Sequence, residues 1–285
     1  MKRALDVAIA SCAVLPEPDP DEAPLTEALR AVGLRVETLG WDDPAADFSR
    51  ARITLVRSTW NYPEAPGSFA TFIDRAAAVT TLYNGPQTIH WNLHKRYLLA
   101  LERASVPVVP TRLVTRGETT SLQTIMRDLG AKRAVVKPAI SAASRATLRV
   151  DEEDSAAGEA HLRALAAHED VLVQPYLASV EGHGERAVVW IDGTVTHAVR
   201  KSPRFAGGAE SVSTAVDVAP DEIALAEKAI AVAPGPLIIA RIDVARGDDG
   251  RPMVMELELI EPSLYFVQSP VALSRYVAAV QKRLR

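Results

Sequence analysis

Two facing runs in the C-terminal third of the chain alternate apolar and charged positions. In the first, Leu237–Ala245, the residues Ile238, Ala240, Ile242 and Val244 fall on one face, with Arg241 and Asp243 on the other. In the second, Pro252–Ile260, the residues Met253, Met255, Leu257 and Leu259 share an apolar face, with Glu256 and Glu258 opposite. A period of two predicts strands, and the Asp249-Gly250 step between the runs predicts a hairpin. A turn centred there pairs Asp243 with Glu256 and Arg241 with Glu258, and directly paired β-carbons lie about 5 Å apart. An edge hairpin with a solvated charged face would show the same period. The apolar flanks Leu237–Ile239 and Leu257–Ile260 argue instead for a buried sheet. Three carboxylates crowded there have raised pKa values or require a cation, and an acidic, all-oxygen set suits Mg²⁺.

The N-terminal part alternates strand and helix patterns. Strands are predicted over Leu5–Ser11, Arg35–Leu39, Ile53–Arg57 and Val79–Tyr83, with helices over Asp21–Val32 and Gly67–Ala78. This order indicates a mostly parallel sheet with helices on its faces. Ligands of such sheets lie beyond the carboxyl ends of the strands. The Pro- and Asp-rich loop Ser11–Asp21 and the segment Arg57–Tyr62 fall there, and the latter carries groups suited to a small-molecule pocket.

Further along, Gln87–Arg103 reads as one helix bearing His90, His94, Lys95 and Arg96. The two histidines have zinc spacing but no accompanying ligand. Strands follow at Pro107–Val114 and Ala134–Lys137, then a small-residue loop, Ala139–Arg145, and a helix over Asp154–His168. Val171–Leu177 is a buried strand interrupted by Pro175, which leaves backbone groups free for a flat ligand. Glu185–Asp192 and Thr194–Lys201 form a second hairpin across Asp192-Gly193, whose simplest register sets Glu185 opposite Arg200. Ser202–Thr214 is a candidate lid, and Asp221–Val232 and Ser269–Arg283 are helices.

Composition narrows the classes. The 285 residues allow two domains or one large one. A net charge of −4 advertises no nucleic-acid surface. Cys12, alone in the chain, excludes an intrachain disulfide and suits a reducing cytoplasm. The basic start, Met1-Lys2-Arg3, superficially resembles a secretory signal, but Asp6 interrupts the apolar stretch and a strand is expected. No apolar run approaches the ~18 residues of a membrane span.

Taken in order, Asn92–Thr111, Val135–Pro138, Val171–Leu177, Gly184–Lys201 and Ala240–Tyr265 resemble the ATP-grasp superfamily. The resemblance is to glutathione synthetase-like ligases and, more narrowly, to the O-ureidoserine cyclo-ligases of D-cycloserine biosynthesis. It implies an α/β fold, α+β in its C-terminal part: an N-terminal α/β domain (1–90), a central domain (91–177) and a C-terminal antiparallel-sheet domain (178–285), with ATP between the last two. Carried over, Lys95 and Lys137 contact phosphates, Lys137 also the adenine side. Gln174, Tyr176 and Leu177 line the adenine pocket, the last two through backbone groups, and Glu185 holds the ribose. Ser141 and Ser144 belong to a loop over the γ-phosphate, where relatives often have glycines. Asp243, Glu256 and Glu258 bind two Mg²⁺, Glu258 standing where relatives often have asparagine. Arg241, Lys137 and Arg200 are the candidate catalytic cations. The implied reaction is ATP-dependent joining of a carboxylate to an amine through an acyl phosphate, with ring closure of O-ureido-D-serine as its intramolecular form. Joining two separate amino acids, or a small-molecule kinase that stops at phosphoryl transfer, are the alternatives. The expected partner is a small amino-acid-like molecule, with no membrane or nucleic acid; a homo-oligomer is compatible.

Overall fold

Three four-stranded sheets organise the computed structural model, which describes residues 3–142, 145–182, 184–202 and 211–285. The first holds β1 (Leu5–Ser11), β2 (Val36–Gly40), β3 (Ala51–Val56) and β4 (Thr81–Tyr83), all parallel in the order β2-β1-β3-β4. Helices α1 (Glu22–Ala31) and α2 (Pro66–Val79) follow β1 and β3. Leu25 and Leu29, one turn apart on α1, are buried against Val7, Ile9 and the C-terminal helix α9 (Pro270–Arg283). The alternating pattern therefore yields the parallel sheet it predicts.

The second sheet is antiparallel, ordered β5-β8-β6-β7, from β5 (Arg112–Val114), β6 (Arg133–Pro138), β7 (Leu148–Asp151) and β8 (Val171–Pro175). Helices α5 (Leu122–Asp128) and α6 (Ser155–Ala166) cover it through Leu122, Ile125 and Leu162. Neither α5 nor β7 is anticipated from the sequence. At seven and four residues they are too short to display a period.

The third sheet, also antiparallel, runs β10-β9-β11-β12: β9 (Glu185–Ile191), β10 (Thr194–Lys201), β11 (Ile239–Arg246) and β12 (Pro252–Glu258). One face packs on α8 (Pro220–Val232) through Ala240, Ile242, Val244 and Leu257; the other carries Arg241, Asp243, Glu256 and Glu258. Among the described residues no helix is long and apolar enough to cross a membrane.

The structure corrects four expectations. The single helix Gln87–Arg103 is two, α3 (Pro86–Asn92) and α4 (Tyr97–Arg103). The break falls where the Lys95 amide leaves the helical ladder to donate to Ala139 O (2.8 Å). His90 and His94 then pair separately, with Asp74 and Asp170. The strand Pro107–Val114 also divides: Val108 bridges Val254 of the third sheet, while Arg112–Val114 pair with β8 of the second. Pro110, which has no N–H to donate, marks the crossing.

The other two corrections are bulges. Asp243 pairs with Glu256 and Arg241 with Glu258 as predicted, but the register then shifts, and Val244 meets Val254. The extra residue, Met255, turns into the cleft instead of joining Leu257, and Val254 takes the core position. In β10 a bulge at Thr196 moves the pairing by one, so Lys201 and not Arg200 stands opposite Glu185.

Strand β12 is a sheet edge, and buried amides close it. Asn92 donates to Leu257 O (2.8 Å) and accepts from the Leu259 amide (2.8 Å). The Tyr97 hydroxyl accepts from the Leu257 amide (3.1 Å). Asn84, at the end of β4, binds Ile239 O, Leu259 O and the Ile238 amide, tying the first sheet to the third.

Candidate active site

A cleft of about 240 Å³ runs between the second and third sheets and ends under the loops of the first. Its floor is the charged face of β11 and β12. Asp243, almost wholly buried, accepts from Arg241 Nε and Nη2 (both 2.9 Å) and from Lys201 Nζ (2.7 Å). Arg241 also donates to Glu258, and Lys201 to Glu185. Glu256 faces Lys95 Nζ (3.0 Å) and Lys137 Nζ (3.7 Å). Lys95, freed by the helix break, reaches Ser141 O as well (2.6 Å).

Burial and pairing set the protonation of these groups. Burial alone would raise Asp243, but Arg241 and Lys201 outweigh it and hold the carboxyl well below its usual range. Glu256 behaves likewise, burial being overcome by Lys95 and Lys137. Burial lowers Lys137, with Lys95 adding to the effect and Glu256 opposing it. Glu258 has only Arg241 to offset burial and its neighbours Asp243, Glu256 and Glu261, and it is pushed up to about 8. Burial pushes Glu261 up to about 7 against the attraction of Arg241, Lys95 and Arg57.

The chemistry of the donor set fits a hard divalent cation: carboxylate oxygens from Asp243, Glu256 and Glu258 on one sheet face. Among the described residues no three such groups converge at metal-binding distance, because each is turned toward a lysine or arginine.

At the other end of the cleft, β8 runs into Tyr176 and Leu177. Gln174 is buried and bonds Thr111 Oγ1 (2.9 Å). The Tyr176 amide is already taken by Arg133 O (2.9 Å), whereas the Leu177 amide donates to no backbone carbonyl among the described residues. The Tyr176 ring is flanked by the guanidinium groups of Arg133 and Arg149, 4.8 and 5.4 Å from its centroid, which makes a rigid wall. Met255 and Val135 complete an apolar slot beside it.

The sequence-predicted residues Lys95, Lys137, Ser141, Gln174, Tyr176, Leu177, Glu185, Arg241, Asp243, Glu256 and Glu258 all line this one cleft. Arg200 does not. The bulge in β10 turns it outward, where it lies over Gly184 and donates to Gly182 O (2.5 Å). Ser144 lies outside the described residues, as does most of the Ser202–Thr214 loop. Lys201 and Glu261 were not foreseen as site residues. Lys201 is hidden by the bulge, which no period reveals. Glu261 follows the strand pattern and sits in a loop, where alternation has ended.

Residues 7–84 match a family described as the N-terminal domain of D-cycloserine synthetase DcsG. The cycloserine biosynthesis protein DcsG of Streptomyces lavendulae is 35% identical over 94% of this chain and 95% of its own. A crystal structure of D-cycloserine synthetase DcsG superposes with a TM-score of 0.89 at 34% identity, covering 98% of this chain and 99% of that one. The ATP-grasp ligase PsnB, solved with a precursor peptide and AMPPNP, shares the fold with a TM-score of 0.66 at 16% identity, over 100% of this chain and 99% of its own. The chain belongs to the DcsG family of ATP-grasp ligases, ATP-dependent enzymes that join a carboxylate to an amine.

Proposed function

We propose that the protein closes a ring within one amino-acid-like molecule, converting O-ureido-D-serine toward D-cycloserine by way of an acyl phosphate. The observation that carries this reading is the buried face of β11–β12, where Asp243, Glu256 and Glu258 stand against Lys95, Lys137 and Arg241 in one cleft. The kinship with the Streptomyces lavendulae protein supplies the substrate class.

In this reading ATP lies with its adenine in the slot of Gln174, Leu177 and Met255, facing the Leu177 amide, and its ribose on Glu185. Lys95 and Lys137 hold phosphate oxygens as charge-assisted donors. Two Mg²⁺ ions would be held by Asp243, Glu256 and Glu258, where they would offset the charge of the triphosphate. Arg241, gripped by Asp243 and Glu258, is aimed and immobile, so it meets developing charge without reorganising. A carboxylate is a poor acyl donor; phosphorylated, it is attacked by the ureido nitrogen bonded to oxygen, phosphate leaves, and hydrolytic loss of the carbamoyl group as CO₂ and ammonia gives the free ring. An amine tethered to the same molecule gains from proximity. Ser141, its hydroxyl turned toward Pro138 O (3.3 Å), belongs to the loop beside the phosphates. Lys201 replaces Arg200 as the candidate cation of β10.

The test is ADP release by the purified protein with Mg²⁺, ATP and O-ureido-D-serine, alongside a panel of single amino acids and amino-acid pairs. Release with O-ureido-D-serine alone, together with the cyclic product by mass spectrometry, is expected. Release that requires two amino acids would replace this reading with intermolecular ligation.

A further inference from the structure

Six acids line the cleft: Glu17, Glu185, Asp243, Glu256, Glu258 and Glu261. Glu185, Asp243, Glu256 and Glu258 each have a lysine or arginine within 4 Å. Glu261 has none among the described residues, although it is more than nine-tenths buried and faces the cleft. The Tyr62 hydroxyl lies beside it in the same cleft. A buried carboxyl with no cation in contact stays charged only when a ligand supplies the opposite charge, and otherwise holds its proton.

The surroundings specify which charge. Tyr62 is fixed by stacking on Phe69 (5.0 Å between centroids), and Trp60 lines the same end of the cleft. Aromatic groups beside a carboxylate suit an ammonium group, which takes both a hydrogen-bonded anion and ring faces. A hard metal ion would call for further oxygen ligands, and the neighbouring carboxylates Glu256 and Glu258 are turned to Lys95, Lys137 and Arg241.

The backbone that carries Glu261 is held from the first sheet. Arg57 Nη1 donates to Pro262 O (2.7 Å). Asp21 accepts the amides of Leu264 (2.6 Å), Tyr265 (3.0 Å) and Phe266 (2.7 Å). The loop that carries Glu261 is therefore held at this end of the cleft. Of the surrounding cations Arg241 attracts it most strongly, which places the phosphoryl-transfer arginine and Glu261 in one neighbourhood.

We propose that Glu261, with Tyr62 and Trp60 beside it, receives the α-ammonium group of the substrate and so sets which carboxylate is presented to Arg241. This assignment rests on the ligase reading above and names the recognition element for an amino acid within it.

The test is calorimetric titration of full-length protein loaded with Mg²⁺ and AMPPNP, with parallel assays of ADP release from ATP. The probes are a panel of D- and L-amino acids including O-ureido-D-serine, and 3-(ureidooxy)propanoate, the same acid without its amino group. Wild type is expected to bind the tightest amino acid about 10- to 100-fold better than the acid lacking the amine, the range for a charge-assisted contact in a buried site. Glu261→Gln should remove that preference while leaving AMPPNP affinity within about threefold. Tyr62→Phe, which removes the hydroxyl and keeps the ring, should reduce the preference about 3- to 10-fold and decides the matter if Glu261→Gln does not fold. An unchanged preference in both variants, an equal loss for both probes, or weaker nucleotide binding in place of weaker ammonium binding would overturn the assignment. So would the absence of binding by any amino acid. Amino-acid binding with the preference intact but no ADP release would overturn the ligase reading alone.

Discussion

Asp21 offers the sharpest test of how the first sheet is coupled to the cleft. Its two carboxylate oxygens accept three consecutive amides, Leu264, Tyr265 and Phe266, and one of them faces Arg57 at 3.4 Å. Both Asp21 and Arg57 are nearly inaccessible to solvent. Asp21→Asn keeps the shape. Its amide oxygen can still serve Leu264, Tyr265 and Arg57, but its NH₂ must then face the Phe266 amide, donor against donor. One lost bond to a charged acceptor and one unsatisfied buried amide predict a loss of about 1–3 kcal/mol. Asp21→Ala abandons all three amides and leaves Arg57 buried without its partner, for about 3–5 kcal/mol. Urea unfolding followed by circular dichroism checks both, with an unchanged m-value expected if only the native state is affected. An Asn variant within about 0.5 kcal/mol of wild type, or an Ala variant that loses less than about 1 kcal/mol, would show that this node does not hold the loop.

Three other outcomes are expected. Glu256→Gln removes the carboxylate facing Lys95 and Lys137 and should lower ADP release about 100-fold or more with the far-ultraviolet spectrum unchanged; full retained activity would remove Glu256 from the metal set. His197, buried in β10, has its pKa lowered by that burial from 6.5 to about 4. Because the folded value is the lower one, its contribution is complete above pH 6.5 and is lost as pH falls toward 4, so wild type should lose about 3 kcal/mol relative to His197→Phe over that window. Parallel urea midpoints for the two proteins between pH 7.5 and 4.5 would refute the assignment. Gly158→Ala places a methyl group 2.5 Å from Val150 Cγ1 and 2.8 Å from Leu122 Cδ2. Overpacking of about 1–3 kcal/mol should exceed the helix-propensity gain of about 1 kcal/mol and lower the melting temperature, and a raised melting temperature would contradict it.

Period, turn chemistry and tertiary context were legible to different degrees. The hairpin of β11 and β12 could be read because both of its signals are local: an Asp-Gly step and a strict alternation that placed Asp243 against Glu256 and Arg241 against Glu258. The parallel first sheet could be read for the same reason. Bulges could not, since one inserted residue changes the facing of everything beyond it while leaving composition untouched. That single fact moved Met255 into the cleft, Arg200 out of it and Lys201 into its place. The break before Lys95 was hidden because it depends on Ala139, 44 positions away in sequence, and Glu261 because a loop has no period. Its backbone is fixed instead by Asp21 and Arg57, supplied by the loop and strand end at the carboxyl edge of the first sheet. The residues whose placement was legible, Arg241, Asp243, Glu256 and Glu258, ride on regular strands; Lys95 and Glu261 ride on irregular backbone held by distant groups. With the substrate at the Glu261 end, as proposed above, such a fold can keep its nucleotide chemistry constant while substrate recognition changes, because the two ends of the cleft answer to different parts of the chain.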